Sequence, residues 1–203
     1  NAIVVMNVVV VLSVFLFYAT TEGHAIGFTD MGDGTILDND SGLLWLKDAS
    51  CPDLAGTDPS GMADWATANS AVAALSDGAC GLTDGSAPGD WRLPTKEEWG
   101  FFINELYEYP ALGNADGEGQ WSEGDAFIGV QSTVYWSSTE ISSDRVYVAD
   151  MSIGRVRSAY KELAPPGFYV WPVRVSPVPE PATILLIGAG FIGLAGVKRK
   201  FKT

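Results

Sequence analysis

Trp99, Phe102, Ile103 and Leu106 recur at the i, i+3, i+4, i+7 spacing of a helix that lays one apolar stripe on a core. The spacing predicts a helix over 96–107. Just ahead of it, Thr95 followed three residues later by Glu98 has the form of a capping box, and Pro94 pins the entry. A second stripe of Trp65, Ala68, Val72 and Leu75 predicts a helix over 62–76, rich in alanine and closed by Gly78. Elsewhere the pattern is that of strands and turns. Gly32-Asp33-Gly34 turns the chain into a short strand at 35–37, Asn39-Asp40-Ser41-Gly42 turns it again, and Leu43-Leu44-Trp45-Leu46 reads as a buried strand. Later strands are predicted at 134–138, 145–151, 155–159 and 168–175. The middle two are joined by Ser152-Ile153-Gly154 as a hairpin, and Pro172 makes the last an edge or bulged strand. Helices early and antiparallel strands late make an α+β plan.

Both ends of the chain are apolar. Residues 1–25 read as a signal peptide, with an apolar stretch over 8–18 and a small-x-small cleavage site at Gly23-His24-Ala25, so that Ile26 opens the mature domain. No Lys or Arg precedes the apolar run, and an uncleaved N-terminal membrane anchor is the alternative. At the far end, Val178-Pro179-Glu180-Pro181 stands before an apolar run over 182–197 and the basic cluster Lys198-Arg199-Lys200. Sixteen helical residues span about 24 Å, and snorkelling lysines make up the difference from a hydrocarbon core of roughly 30 Å. The basic cluster sets the orientation, tail inside and domain outside. An ordinary tail anchor with a proline-rich neck is the rival reading of the segment 177–203.

Composition narrows what the middle segment, 26–176, does. Between Ile26 and Pro181 there are 8 Lys or Arg against 24 Asp or Glu. A body this acidic excludes nucleic acid held through phosphate contacts. It suits an extracellular surface. The two cysteines, Cys51 and Cys80, have no CxxC pattern, and in an exported chain they predict one disulfide, stapling the loop that enters the first helix to the loop that leaves it. On the chain-entropy model that closure contributes about 3.5 kcal/mol. Two reduced buried thiols are the alternative.

The one histidine, His24, falls in the signal peptide, which removes histidine-based catalysis and histidine zinc sites from the mature domain. The aspartates of 30–40 invite a calcium reading, but counted from Asp38 the sixth position is Leu43 and the twelfth Ala49, which departs from an EF-hand loop. Of the tryptophans, Trp45, Trp91, Trp136 and Trp171 lie in predicted strands and are expected in the core. Trp121, inside the Gly- and Asp-rich loop over 113–125, is the candidate for an exposed ligand contact. From Asp144 to Arg174, five basic residues against three acidic ones run counter to the rest of the chain, a face suited to an anionic glycan.

Trp91-Arg92-Leu93-Pro94-Thr95 with Glu98-Trp99 behind it, together with Asp33-Gly34-Thr35, Ser41-Gly42-Leu43-Leu44-Trp45, Tyr135-Trp136-Ser137-Ser138-Thr139 and Val173-Arg174, resembles the C-terminal domain family of a collagen-like bacterial adhesin. The resemblance covers roughly 28–175 and implies a C-type-lectin-like fold, related to that of formylglycine-generating enzymes. The calcium-lectin tripeptides Glu-Pro-Asn, Gln-Pro-Asp and Trp-Asn-Asp are missing. Arg92 and Arg174 stand at signature positions, where each is expected to tie a strand to a carboxylate or to backbone carbonyls.

The C-terminal layout of Val178, Pro179, Glu180 and Pro181, apolar helix and basic tail resembles a PEP-CTERM sorting signal. This implies export by the general secretory route, retention at the inner membrane and processing by an exosortase, in bacteria that build a polysaccharide matrix. The expectation is an exported surface or matrix protein with no catalytic residues, cofactor or metal. Its expected partners are exosortase and membrane before processing, and extracellular polysaccharide after it. A structural matrix component without a specific ligand, and an enzyme on a formylglycine-generating-like fold that uses free Cys51 and Cys80, are the alternatives.

Overall fold

Local chemistry sets where the elements begin and end. In the computed structural model, which describes residues 27–54, 56–162 and 166–176, α1 (Trp65–Ala74) opens at Asp64, whose side chain accepts the Thr67 N–H. This helix is shorter than the periodicity predicts, because Met62 and Ala63 are used as β4 (Met62–Ala63), paired with β8 (Phe168–Tyr169). The second helix, α2 (Lys96–Phe102), carries the full capping box: Thr95 Oγ1 accepts the Glu98 N–H and Glu98 accepts the Thr95 N–H. It ends at Phe102 rather than 107, and Leu106, expected on its apolar stripe, is 84% exposed. The reason lies in Asn104. Its N–H donates to Ala111 O and its side chain accepts the Leu106 N–H, the local bonding by which asparagine competes with helix.

Two sheets hold the fold. One runs in the order β1 (Phe28–Asp30), β2 (Thr35–Asp38), β3 (Leu43–Leu46), β9 (Val173–Val175), antiparallel throughout. The other runs β4, β8, β5 (Val134–Glu140), β6 (Arg145–Asp150), β7 (Arg155–Tyr160), antiparallel except where β5 meets β8. The β6–β7 hairpin forms as the pattern predicts. The single strand expected over 168–175 is instead two strands in different sheets, and Pro172 sits at the crossing, where its carbonyl still accepts the Leu46 N–H. The plan is α+β with two helices.

The core is aromatic. The ring of Trp45 stacks on Phe102 at 3.8 Å and meets Trp99 and Trp171 edge-on or tilted within 5.5 Å. Trp99 Nε1 donates to Trp136 O, Trp136 Nε1 to Ala63 O and Trp171 Nε1 to Leu46 O, so these indoles pay no polar penalty for burial. Trp45, Trp91, Trp136 and Trp171 are buried, as expected. The segments predicted as signal peptide (1–25), apolar helix (182–197) and sorting motif (Val178, Pro179, Glu180, Pro181) lie outside the described residues. Among the described residues no helix is long and apolar enough to cross a membrane.

Candidate functional site

The signature residues are committed to holding the chain. Arg92 forms a fork with Glu98, Nη1 to Oε2 at 2.7 Å and Nη2 to Oε1 at 2.6 Å, while its backbone exchanges both hydrogen bonds with Val173. Burial works to raise the Glu98 carboxyl, but Arg92 and the Thr95 N–H outweigh it and hold the group below the usual carboxylate range. Arg174, one residue on, pairs with Asp84 at 2.8 Å, both side chains nearly out of reach of solvent, and its guanidinium lies over the Trp91 ring. Asp84 in turn accepts the N–H and hydroxyl of Ser86. Both arginines therefore tie strands to carboxylates, as their positions suggest.

Trp121, expected at an exposed loop tip, is buried: the residue is 9% exposed, and its Nε1 donates to Phe127 O at 3.3 Å. The loop around it closes on itself through Asn114, which accepts from the N–H groups of Glu118 and Gly119, so the indole becomes the plug of the loop rather than its exposed tip. The turn aspartates are also occupied by backbone: Asp33 accepts from Thr35, and Asp38, itself buried, from Asp40 and Ser41. Among the described residues no group of three or more His, Cys, Asp or Glu side chains is placed to hold a metal ion. Three of the five basic residues of 144–174 are paired, Arg157 with Asp150, Lys161 with Glu140 and Arg174 with Asp84, and Arg145 donates to Ser158 with its guanidinium over the Tyr160 ring.

An open cleft of about 450 Å³ forms where the chain leaving β3 meets the chain entering β5. The two run parallel, Ile128 N–H donating to Lys47 O and Ala49 N–H to Ile128 O. Asp48 Oδ1 accepts the Ser50 N–H, and Glu123, reaching from the Gly-rich loop, accepts the Gly129 N–H. Gly129 has φ +66°, and a Cβ there would stand 2.6 Å from Ser50 Oγ and 2.8 Å from Asp48 Oδ1, so the two strips close only over a glycine. Pro52 forms part of the wall and follows directly on Cys51, whose disulfide to Cys80 (Cα–Cα 5.8 Å) fixes it. That bond leaves no free thiol among the described residues.

On the far wall Tyr169 is half-buried, its ring 5.5 Å from that of Tyr135, whose hydroxyl accepts the Gln131 N–H. Burial pushes the Tyr135 phenol well above its ordinary range, against the pull of that N–H, and it stays protonated. Tyr169, Gln131, Ser50 and Ser60 thus face a space flanked by two carboxylates, with no Lys or Arg in its lining.

Matched against models of known families, residues 34–174 fit the Lcl C-terminal domain. The chain belongs to the Lcl C-terminal domain family. The matched span holds both arginine clamps and every residue of the cleft, so each is part of the Lcl C-terminal domain rather than an appendage to it. Residues 177–200 fit the PEP-CTERM protein-sorting motif, which marks this Lcl-domain chain for exosortase-dependent export to the surface. No curated protein and no solved structure matches the chain.

Of the cleft, sequence reasoning reached only the Gly-rich loop that carries Glu123, where it singled out Trp121, which is buried. Asp48, Gly129 and Tyr169 come from three distant stretches and share no local pattern.

Proposed function

We propose that this protein is a non-catalytic, exported surface or matrix protein that binds extracellular polysaccharide through the cleft between Asp48, Glu123 and Tyr169. The observation that carries the reading is the cleft itself, a hydroxyl- and carboxylate-lined opening beside a half-buried tyrosine, whereas Glu98, Asp150 and Asp84 elsewhere are each paired with an arginine. Carboxylates accept hydrogen bonds from sugar hydroxyls, and a tyrosine ring offers an apolar platform for a sugar face. The lining lacks a cation, which favours uncharged over anionic polysaccharide. Membership of the Lcl C-terminal domain family and the PEP-CTERM motif support a role outside the cell.

The test is retention of the full chain, in detergent, on columns of neutral and of anionic polysaccharide, with and without calcium. Retention on a neutral polymer, independent of calcium and reduced by Tyr169→Ala, supports the reading. Retention on none of them sinks it.

A purely structural matrix role has one observation in its favour. Phe101, Leu106, Tyr109 and Ile153 are exposed, at 74, 84, 66 and 46%, on the end of α2, the loop that follows it and the turn against which that loop packs. Concentration-dependent self-association abolished by Leu106→Asp, with no polysaccharide retention, would favour this second reading.

A further inference from the structure

Both ends of the described chain leave from one place. Asn39 N–H donates to Gly27 O at 3.0 Å, and Ser176 N–H to Gly42 O at 3.4 Å, so the turn between β2 and β3 lies against the first described residue and the last. The cleft lies at the other end of the same strands. β3 starts beside the turn at Leu43, paired with Val175, and runs towards Asp48 at the cleft, about 17 Å further at the usual rise per residue. The route back agrees: Tyr169 lines the cleft, Pro172 O accepts the Leu46 N–H, and β9 then returns to the turn. Two strands of opposite direction therefore place cleft and chain exit at opposite ends of one sheet.

The length of chain beyond Ser176 turns this into a statement about the membrane. Only residues 177–181 separate Ser176 from the apolar run 182–197, a reach of about 20 Å at full extension. β9 is also held on both sides, by β3 and by the backbone of Arg92, and is anchored by the Arg174–Asp84 pair, which opposes lengthening the tether by peeling the strand.

We infer that in the membrane-held intermediate the Asp38–Gly42 turn is the surface that faces the lipid headgroups, and the Asp48–Glu123–Tyr169 cleft stands at the membrane-distal end. The inference rests on the proposed export and on the expectation, drawn from the PEP-CTERM motif, that the apolar run 182–197 holds the chain in a membrane before processing. Its consequence is that the cleft meets polysaccharide while the protein is still anchored, so ligand binding does not wait for release.

The experiment uses the full chain in phosphatidylcholine vesicles that carry a headgroup-attached quencher, with a thiol-linked fluorophore at Asn39→Cys or at Ser60→Cys. Both positions are exposed, and the native cysteines are locked in their disulfide. The expected result is quenching roughly twofold greater at position 39 than at position 60, given the strand-length separation. Inserting about 20 Gly/Ser residues after Ser176, a flexible span of roughly 25 Å, should abolish that difference. Equal quenching, greater quenching at position 60, or a difference that survives the insertion overturns the inference. The unmodified protein's hydrogen exchange at 39–42, slowed in vesicles relative to detergent while 48–50 is not, gives the same answer should a cysteine variant fail to fold. Failure to sediment with the vesicles contradicts the anchored reading itself, and is told apart from a wrong orientation by that alone.

Discussion

The arginine clamps and the cleft use the same side-chain chemistry in opposite ways. At the clamps, Glu98 meets the Arg92 guanidinium and the Thr95 N–H, and Asp84 meets the Arg174 guanidinium and the N–H and hydroxyl of Ser86, and the result is a locked β9. At the cleft, Asp48 and Glu123 each accept one backbone N–H, and among the described ion pairs neither has a cation. Pairing converts a carboxylate into structure, and leaving it unpaired at a surface keeps it available to a ligand. A buried charge stripped of its partner is costly, whereas an exposed one is already solvated, so the two regions should answer substitution very differently.

The largest effect is expected in the aromatic core beneath the clamps. Trp99→Ala removes a ring that touches Trp45, Phe102, Tyr135 and Trp171, and should cost about 4 kcal/mol in chemical denaturation. Arg174→Ala leaves Asp84 buried and unpaired, and should cost about 3 kcal/mol. Converting Asp84 to Asn in the same chain should recover part of that loss. Opening the Cys51–Cys80 bond with reductant should lower stability by about 3.5 kcal/mol on the chain-entropy model, and should weaken ligand binding as well, since Pro52 loses its anchor.

A smaller effect comes from acid. The Glu98 and Asp150 carboxyls are held below their ordinary range. For each, burial works the other way and is outweighed, at Glu98 by Arg92 and Thr95, at Asp150 by Ser152 and Arg157. A depressed carboxyl contributes stability that is present above its unfolded value and lost as pH falls through the folded one. Thermal midpoints should therefore drop as pH falls below the ordinary carboxylate range, and Glu98→Gln should flatten that drop while lowering stability at neutral pH. The smallest effect on folding is expected at the cleft, where Glu123→Gln and Tyr169→Ala should each shift stability by less than about 1 kcal/mol.

What was legible in the sequence follows the range of the interactions. The capping box of Thr95 and Glu98, the β6–β7 hairpin and the burial of Trp45 and Trp171 are set by residues a few positions apart or by short unbroken apolar runs. The structural use of Arg92 and Arg174 was readable because each sits in a signature stretch. Misreadings occurred where a distant partner decided the outcome. Leu106 keeps helical spacing, but Asn104 is captured by Ala111, which itself bonds to Met151 O, and the helix stops. Residues 168–175 read as one apolar strand, yet β4 claims the first part and β3 the second. Trp121 sits among Gly and Asp, a composition that suggests exposure, but Phe127 O draws its indole inward. The cleft had no local signal, because its contributors meet only once both sheets are in place.

The most direct test is a paired measurement on the full chain: melting temperature and affinity for a neutral polysaccharide, in the wild type and in an Asp48→Asn, Glu123→Gln, Tyr169→Ala triple variant. The account predicts near-wild-type melting with at least tenfold weaker binding, a loss of about 1.4 kcal/mol or more. Wild-type affinity in a well-folded triple variant would contradict the assignment of the cleft.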